Sequence, residues 1–143
     1  MKGRKFSLIV TGAAETAPFS PGNNGGYMLT TPTTSNFTIY KYNTLSLAFK
    51  WQDANGNAIN LTGYSALLEA RYNITDSAPF LTLQSPVNIT LGSDGSIVIT
   101  APPSMTSPLT AGAGVYDLQL TDTLGNVFTL LQGSVIVQEM VTR

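Results

Sequence analysis

The chain has 143 residues, 43% of them apolar and only 10% charged, with a net charge of −1 and a pI near 5.1. That length fits one domain, or one domain with an arm, and the apolar share suffices for a core. The absence of cysteine and histidine excludes disulfides, thiolate chemistry, Ser-His and Cys-His nucleophiles and the commonest transition-metal ligand.

Ordinary soluble domains are roughly 25% charged. Here Thr, Ser, Asn and Gln supply most of the polarity, and a polar but poorly charged surface is weakly protected against self-association. The composition therefore points to a subunit covered in an assembly, with a plain soluble β-protein as the alternative. The charges are unevenly placed. Residues 1–50 carry Lys2, Arg4, Lys5, Lys41 and Lys50 against Glu15, a net +4. Residues 51–143 carry Arg71 and Arg143 against Asp53, Glu69, Asp76, Asp94, Asp117, Asp122 and Glu139, a net −5. Such asymmetry can steer the front of one subunit onto the back of another.

No run of about 18 apolar residues is present, so no membrane span is expected. The basic start Met1–Lys5 is followed by an apolar run, Phe6 to Val10, that is shorter than a signal-peptide core. The expectation is synthesis or assembly in a cytoplasm. The Lys2-Arg4-Lys5 cluster is too small, and the pI too low, for a nucleic-acid footprint.

In chain order, Phe6 to Val10 is a candidate short strand. Gly12 to Thr34 then strings together Gly, Ala, Pro, Ser, Asn and Thr without periodicity, including Pro18, Pro21, Pro32 and Gly25-Gly26. Pro and Gly at this density interrupt both helix and sheet. Residues 1–36 are therefore read as an extended N-terminal arm, with simple disorder as the competing reading. Lys2, Arg4 and Lys5 form its cationic tip. Phe19, Tyr27, Met28 and Leu29 are spaced apolar anchors of the kind that dock into a neighbour.

Residues 37–143 read as one β-domain. Phe37, Ile39 and Lys41 alternate with Thr38, Tyr40 and Tyr42. Leu45, Leu47, Phe49 and Trp51 then face one way and Ser46, Ala48, Lys50 and Gln52 the other, a clear amphipathic strand. Asp53-Ala54-Asn55-Gly56-Asn57 is a turn, with Asn-Gly its strongest signal. Tyr64 to Tyr72 has helix-favouring residues, but its short length between Gly63 and Asn73-Ile74-Thr75-Asp76 favours strand. Phe80 to Leu83, Val87 to Leu91 and Ser96 to Thr100 follow, the last two flanking the Gly92–Gly95 hairpin turn. Ala101 to Leu109 is broken by proline and predicts a single helical turn, with Pro at its start and Ser or Thr as a cap.

The C-terminal stretch Gly114 to Val141 predicts a three-strand meander. Tyr116, Leu118 and Leu120 alternate with Asp117, Gln119 and Thr121. A turn at Asp122–Asn126 follows, then Val127 to Leu131 with Phe128 and Leu130 on one face. Gly133 breaks the run, and Val135-Ile136-Val137 forms a segment expected to be covered on both sides. About eight strands separated by Gly/Asn/Asp turns argue for a sandwich or barrel. Tyr116 sits just after a Gly-rich corner at a strand start. Tyrosines so placed in immunoglobulin-like sandwiches bond back to the corner backbone, although an ordinary core aromatic fits equally. The fold class expected is all-β: an Ig-like antiparallel β-sandwich with an extended N-terminal arm.

Motifs for chemistry are sparse. The turn at Asp53 resembles the first ligands of a calcium loop, but Ala58 and Tyr64 stand where that loop needs Gly and an acid, and a hairpin turn explains every residue. Asn-x-Ser/Thr triplets begin at Asn36, Asn60, Asn73 and Asn88. Glu69 with an Asp is the one conceivable carboxylate pair, yet the pattern places Glu69 and Asp117 on outward strand faces and the other Asp residues beside turns. No catalytic residue, cofactor site or metal site is assigned, and the chain is expected not to be an enzyme.

Several phrases together resemble a known group. They are Trp51-x-Asp53-x-x-Gly56, Leu61-Thr62-Gly63-Tyr64-Ser65-Ala66 with Arg71, Gly114-Val115-Tyr116-Asp117-Leu118-x-Leu120, Gly125, Leu130-Leu131-x-Gly133-x-Val135 and Val141-Thr142-Arg143. Over about residues 45–143 the chain resembles small structural proteins of tailed bacteriophages, including the β-sandwich modules of baseplate and tail-fibre adaptor proteins. The resemblance implies a non-enzymatic virion component that joins tail or baseplate to fibre. A capsid cement or decoration protein is the nearest alternative. A carbohydrate- or receptor-binding module, with Trp51 and Tyr64 as candidate stacking aromatics, is the alternative of another class; the pattern at Trp51 favours core. The expected partners are other virion proteins and further copies of the chain, with no nucleic acid and no membrane, and the expected location is the virion, assembled in the host cytoplasm.

Overall fold

The computed structural model describes residues 6–11, 32–53 and 55–143. They form β1 (Phe6–Thr11), β2 (Thr33–Thr34), β3 (Phe37–Tyr40), β4 (Leu45–Asp53), β5 (Ser65–Arg71), β6 (Leu81–Gln84), β7 (Ile89–Leu91), β8 (Ser96–Ala101), a single helical turn α1 (Pro103–Thr106), β9 (Gly112–Thr121) and β10 (Val127–Gln138). The strands build two facing sheets. One has the order β1-β4-β8-β7; the other runs β2-β10-β9-β5-β6, with β3 also pairing β10. No helix among the described residues is long and apolar enough to cross a membrane.

The alternation along β4 is realised: Leu45, Leu47, Phe49 and Trp51 are all buried. They meet Ala66, Leu68 and Ala70 of β5, Ile97 and Ile99 of β8, and Tyr116, Leu118 and Leu120 of β9 in one core. Each large apolar side chain buried this way contributes about 1.5–3 kcal/mol, and the period of two delivers one such residue per pair of positions. The segment between Gly63 and Asn73 is a strand, not a helix, because sheet pairing on both flanks (β9 and β6) overrides the helix-favouring composition.

The structure departs from the sequence pattern in four places. The meander expected after residue 114 is a hairpin of two long strands, since β10 runs unbroken through Gly133. Gly133 does not end the strand. It gives room: a Cβ there would collide with the Ser35 carbonyl oxygen, so the bare backbone lets the β2–β3 segment lie alongside. Within β10 the register slips between Thr129 and Leu131. This bulge turns both Leu130 and Leu131 inward and leaves Phe128 only partly buried. Lastly, Val135 and Val137 are buried while Ile136 is 48% exposed, so that segment is covered on one face only.

Two further expectations change in detail. α1 starts at proline as predicted but has no side-chain cap. Thr106 instead donates from its hydroxyl to the Asn43 carbonyl at 2.8 Å, tying the turn to the β3–β4 connection. The Tyr116 hydroxyl does bond to backbone, but to the carbonyl of Ser35, far upstream, and not to its own corner. Its ring packs edge-on against Phe37 at 4.7 Å.

Two stretches before residue 37 belong to the sheets. β1 pairs antiparallel with β4 from Phe6↔Asp53 to Thr11↔Ala48. β2 and β3 pair parallel with β10.

Candidate functional site: three surfaces of the sandwich

At one end of the sandwich, two turns share the pattern Asp-x-x-Gly-Asn, and the local chemistry closes both in the same way. Asp53 Oδ1 accepts from the Asn55 and Asn57 amides at 2.9 and 3.0 Å, and Asp53 Oδ2 from Asn57 Nδ2 at 3.3 Å. Asp122 Oδ1 accepts from the Leu124 and Asn126 amides, both at 2.9 Å, and Oδ2 from Asn126 Nδ2 at 3.0 Å. Gly56 and Gly125 take φ of +85° and +88°, the left-handed region that side chains disfavour. The hydrogen bonds from Asn126 hold the Asp122 carboxyl below its ordinary pKa. Asp94, in the Gly92–Gly95 turn, is lowered likewise by its bonds to Ser96. Contacts tie these turns together through their neighbours: the Trp51 amide donates to the Gly95 carbonyl at 2.9 Å, the Leu61 amide to the Gly92 carbonyl at 3.3 Å, and Gly63, in the turn that begins at Leu61, lies against Thr123. The carboxylate oxygens of Asp53 and Asp122 are thus engaged within their own turns. No group of three or more potential metal ligands occurs among the described residues.

The outward face of the larger sheet carries the second surface. The register sets Glu69 opposite Asp117, and Asp117 in turn opposite Gln132. Arg71 bridges to Glu69 at 2.9 Å, and its Nε donates to the Asp76 carbonyl at 3.0 Å. Burial raises the Asp117 pKa, with the Glu69 charge adding to it and Arg71 opposing it. A shallow depression of about 470 Å³ lies here, bordered by Glu69, Arg71, Ile74, Val115, Asp117 and Gln132. Like charges directly opposite across a ladder are destabilising, so Arg71 offsets a repulsion that the register builds in.

The third surface is a groove of about 520 Å³ where the sheets part along one edge. Phe37, Thr38 and Tyr40 of β3, Leu45 and Leu47 of β4, and Ile136 of β10 line it. β1 covers β4 only from Ala48 to Asp53, so the first part of β4 borders the open groove.

The residues singled out from sequence for an assembly arm, Lys2, Arg4, Lys5, Phe19, Tyr27, Met28 and Leu29, lie outside the described residues. Trp51 is 3% exposed with its ring 6.3 Å from that of Phe128, so it is not available to stack on a sugar. Tyr64 is partly buried against the core. The sequence pattern placed Glu69 and Asp117 on outward faces, but their opposition depends on the β5–β9 register. The contact of Tyr116 with Ser35 had no sequence signal.

The order of strands defines the class of protein. Taking β1, β4, β5, β6, β7, β8, β9 and β10 as A, B, C, C′, D, E, F and G gives one sheet A-B-E-D and another G-F-C-C′. That is the arrangement of an immunoglobulin-like sandwich. Leu118, two residues after Tyr116 on strand F, stands where antibody domains carry a cysteine; here it is fully buried.

No protein-family model and no curated protein matches the chain. Among solved structures it is similar to the Lin-41 filamin domain, at 15% identity over 71% of this chain and 82% of that one, with a TM-score of 0.41. It is similar to a chimeric titin Z1Z2 functionalized with an exogenous peptide from decorin, at 16% identity over 76% and 90%, with a TM-score of 0.41. CopC from Methylosinus trichosporium OB3b follows at 8% identity over 74% and 88%, with a TM-score of 0.40. The fold assignment rests on the strand order given above.

Proposed function

We propose that the chain is a non-enzymatic structural protein of a tailed-bacteriophage virion, an assembly or adaptor module that joins tail or baseplate to fibre. Its partners are other virion proteins and further copies of itself, and it resides in the virion after assembly in the host cytoplasm. The observation that carries this reading is the set of phrases through which the sequence resembles such proteins. Two of them, Leu61–Ala66 and Gly114–Leu120, reach neighbouring strands, since Ala66 pairs with Leu120 and Arg71 with Val115. The low charge of the chain, which leaves a surface weakly protected against association, also suits a subunit of an assembly.

Immunogold electron microscopy tests the reading, using antibodies against the recombinant chain on virions purified from a host that carries its gene. Label at the tail end supports the adaptor role. Label over the head shell moves the protein to the capsid-decoration alternative. Purified virions in which mass spectrometry detects none of the chain overturn the proposal.

A further inference from the structure

The register lays one row across the outward face of the larger sheet: Gln132 on β10, Asp117 on β9, Glu69 on β5 and Thr82 on β6. Directly opposed residues on antiparallel strands have Cβ atoms about 5 Å apart, and two carboxylates at that spacing repel. Arg71 relieves one of them. Its Nη1 donates to Glu69 and its Nε to the Asp76 carbonyl, and Asp117 has no share in either bond. Asp117 is half-buried and makes no hydrogen bond or ion pair among the described residues. A carboxylate drawn partly out of water without a partner is unfavourable, whereas an amide would sit in the same row without repulsion. A local conflict left uncompensated within the fold marks a functional position.

Apolar side chains flank the row. Ile74 is 81% exposed and Val115 39%, and both border the same depression as Asp117. Exposed Ile136 is the diagonal neighbour of Val115 across the β9–β10 ladder, because Val115 pairs with Ser134. An apolar strip therefore runs beside an acidic floor. Two carboxylates, Glu69 and Asp117, stand against one guanidinium, that of Arg71, so one negative charge is in surplus. The other described cations of the chain are engaged elsewhere, Lys41 and Arg143 with Glu139 and Lys50 beside Asp94. A second copy laid on this face would bring an Arg71 already bridged to its own Glu69. The complementary charge belongs to a different protein.

We propose that this face docks another protein of the particle through a lysine or arginine side chain that enters the depression and pairs with Asp117, while the apolar residues beside it lie on Ile74, Val115 and Ile136. This inference rests on the reading that the chain is an assembly module, and it names the contact. A charge-assisted hydrogen bond to a carboxylate already partly out of water is stronger than one at an open surface. Burial of the apolar strip adds to it.

Nuclear magnetic resonance on the isotope-labelled chain tests the contact with defined probes: acetyl-Leu-Arg-Leu-amide, its lysine analogue and the neutral acetyl-Leu-Gln-Leu-amide. A basic peptide is expected to shift the amide resonances of Glu69, Val115, Asp117 and Gln132 and to saturate with a dissociation constant on the order of 1 mM, as a small ligand with few contacts does. Asp117→Asn should weaken this binding about tenfold while raising the melting temperature, a combination that a purely structural residue does not give. Asp94→Asn removes a charge of the same sign at the end of the sandwich and should leave binding unchanged. The proposal is overturned if neither basic peptide shifts these resonances, if the neutral peptide shifts them equally, or if Asp94→Asn weakens binding as much as Asp117→Asn. Calcium chloride alone reproducing the shifts would give the carboxylates to a metal ion, and resonances of this face that move with the concentration of the chain alone would give it to a second copy; either result also overturns the proposal. Because the titration uses only the isolated chain, its failure refutes this contact and leaves the virion reading to the immunogold result.

Discussion

The end of the sandwich bearing the Asp53 and Asp122 turns and the edge formed by β1, β2 and β3 are organised on opposite principles. Each turn is closed by a carboxylate acting within five residues of itself, with a glycine at positive φ completing the shape. The edge is held by partners far away in sequence: β1 by β4, β3 by the C-terminal half of β10, and Ser35 by the Tyr116 hydroxyl. The first region is closed by local hydrogen bonds, which the same five-residue pattern makes at both turns. The second exists only once the body of the sandwich has assembled, because closing long loops costs chain entropy before any contact is made.

The largest effect should come from the wall of the groove under this edge. Leu47 is 2% exposed, and Leu47→Ala is expected to lower stability by about 2–5 kcal/mol, read from the urea midpoint. Phe128→Ala, at a partly buried site, should cost clearly less. Equal losses would mean that the bulge in β10 does not turn Phe128 away from the core.

Next comes the tie between edge and body. Tyr116→Phe removes the buried hydroxyl that donates to the Ser35 carbonyl, at a cost of about 1.5 kcal/mol. A variant with wild-type stability would show that the edge is secured by its ladder alone. For the turns, Gly56→Ala and Gly125→Ala each force a side chain into the left-handed region, at about 1–2 kcal/mol. Because the two turns match bond for bond, the two losses should agree within about 0.5 kcal/mol. Clearly different melting temperatures would break the equivalence.

The smallest effect concerns Asp117. Its pKa in the folded protein is raised above the ordinary 3.8 by burial and by Glu69. The folded state therefore takes up this proton at a higher pH than the unfolded state, and Asp117 lowers stability as pH rises through the window above 3.8. Asp117→Asn is expected to raise the melting temperature at neutral pH, with the gain shrinking as the pH falls through that window. A gain that grows on acidification would contradict this sign.

Much of the fold was legible because side-chain alternation is a local steric property of an extended chain. The buried faces of β4, β5 and β9, the hairpin turns and the single helical turn follow from residue order alone. The positions before residue 37 were harder, since β2 has two residues and no periodicity. The candidate surfaces were partly visible: Glu69 and Asp117 read as outward-facing, but nothing in either strand says that they stand opposite.

What the sequence determined by itself is the set of strands and which face of each is apolar, because period two needs no partner to be expressed. What tertiary structure decided is which strands pair and in what register. The β10 bulge, the passage of β10 through Gly133, the parallel seating of β3 and the partner of Tyr116 all depend on backbone hydrogen bonds and close approaches between residues distant in the chain. Such choices are made by the fit of whole sheets against one core, where a shift of one residue would turn a buried face to solvent.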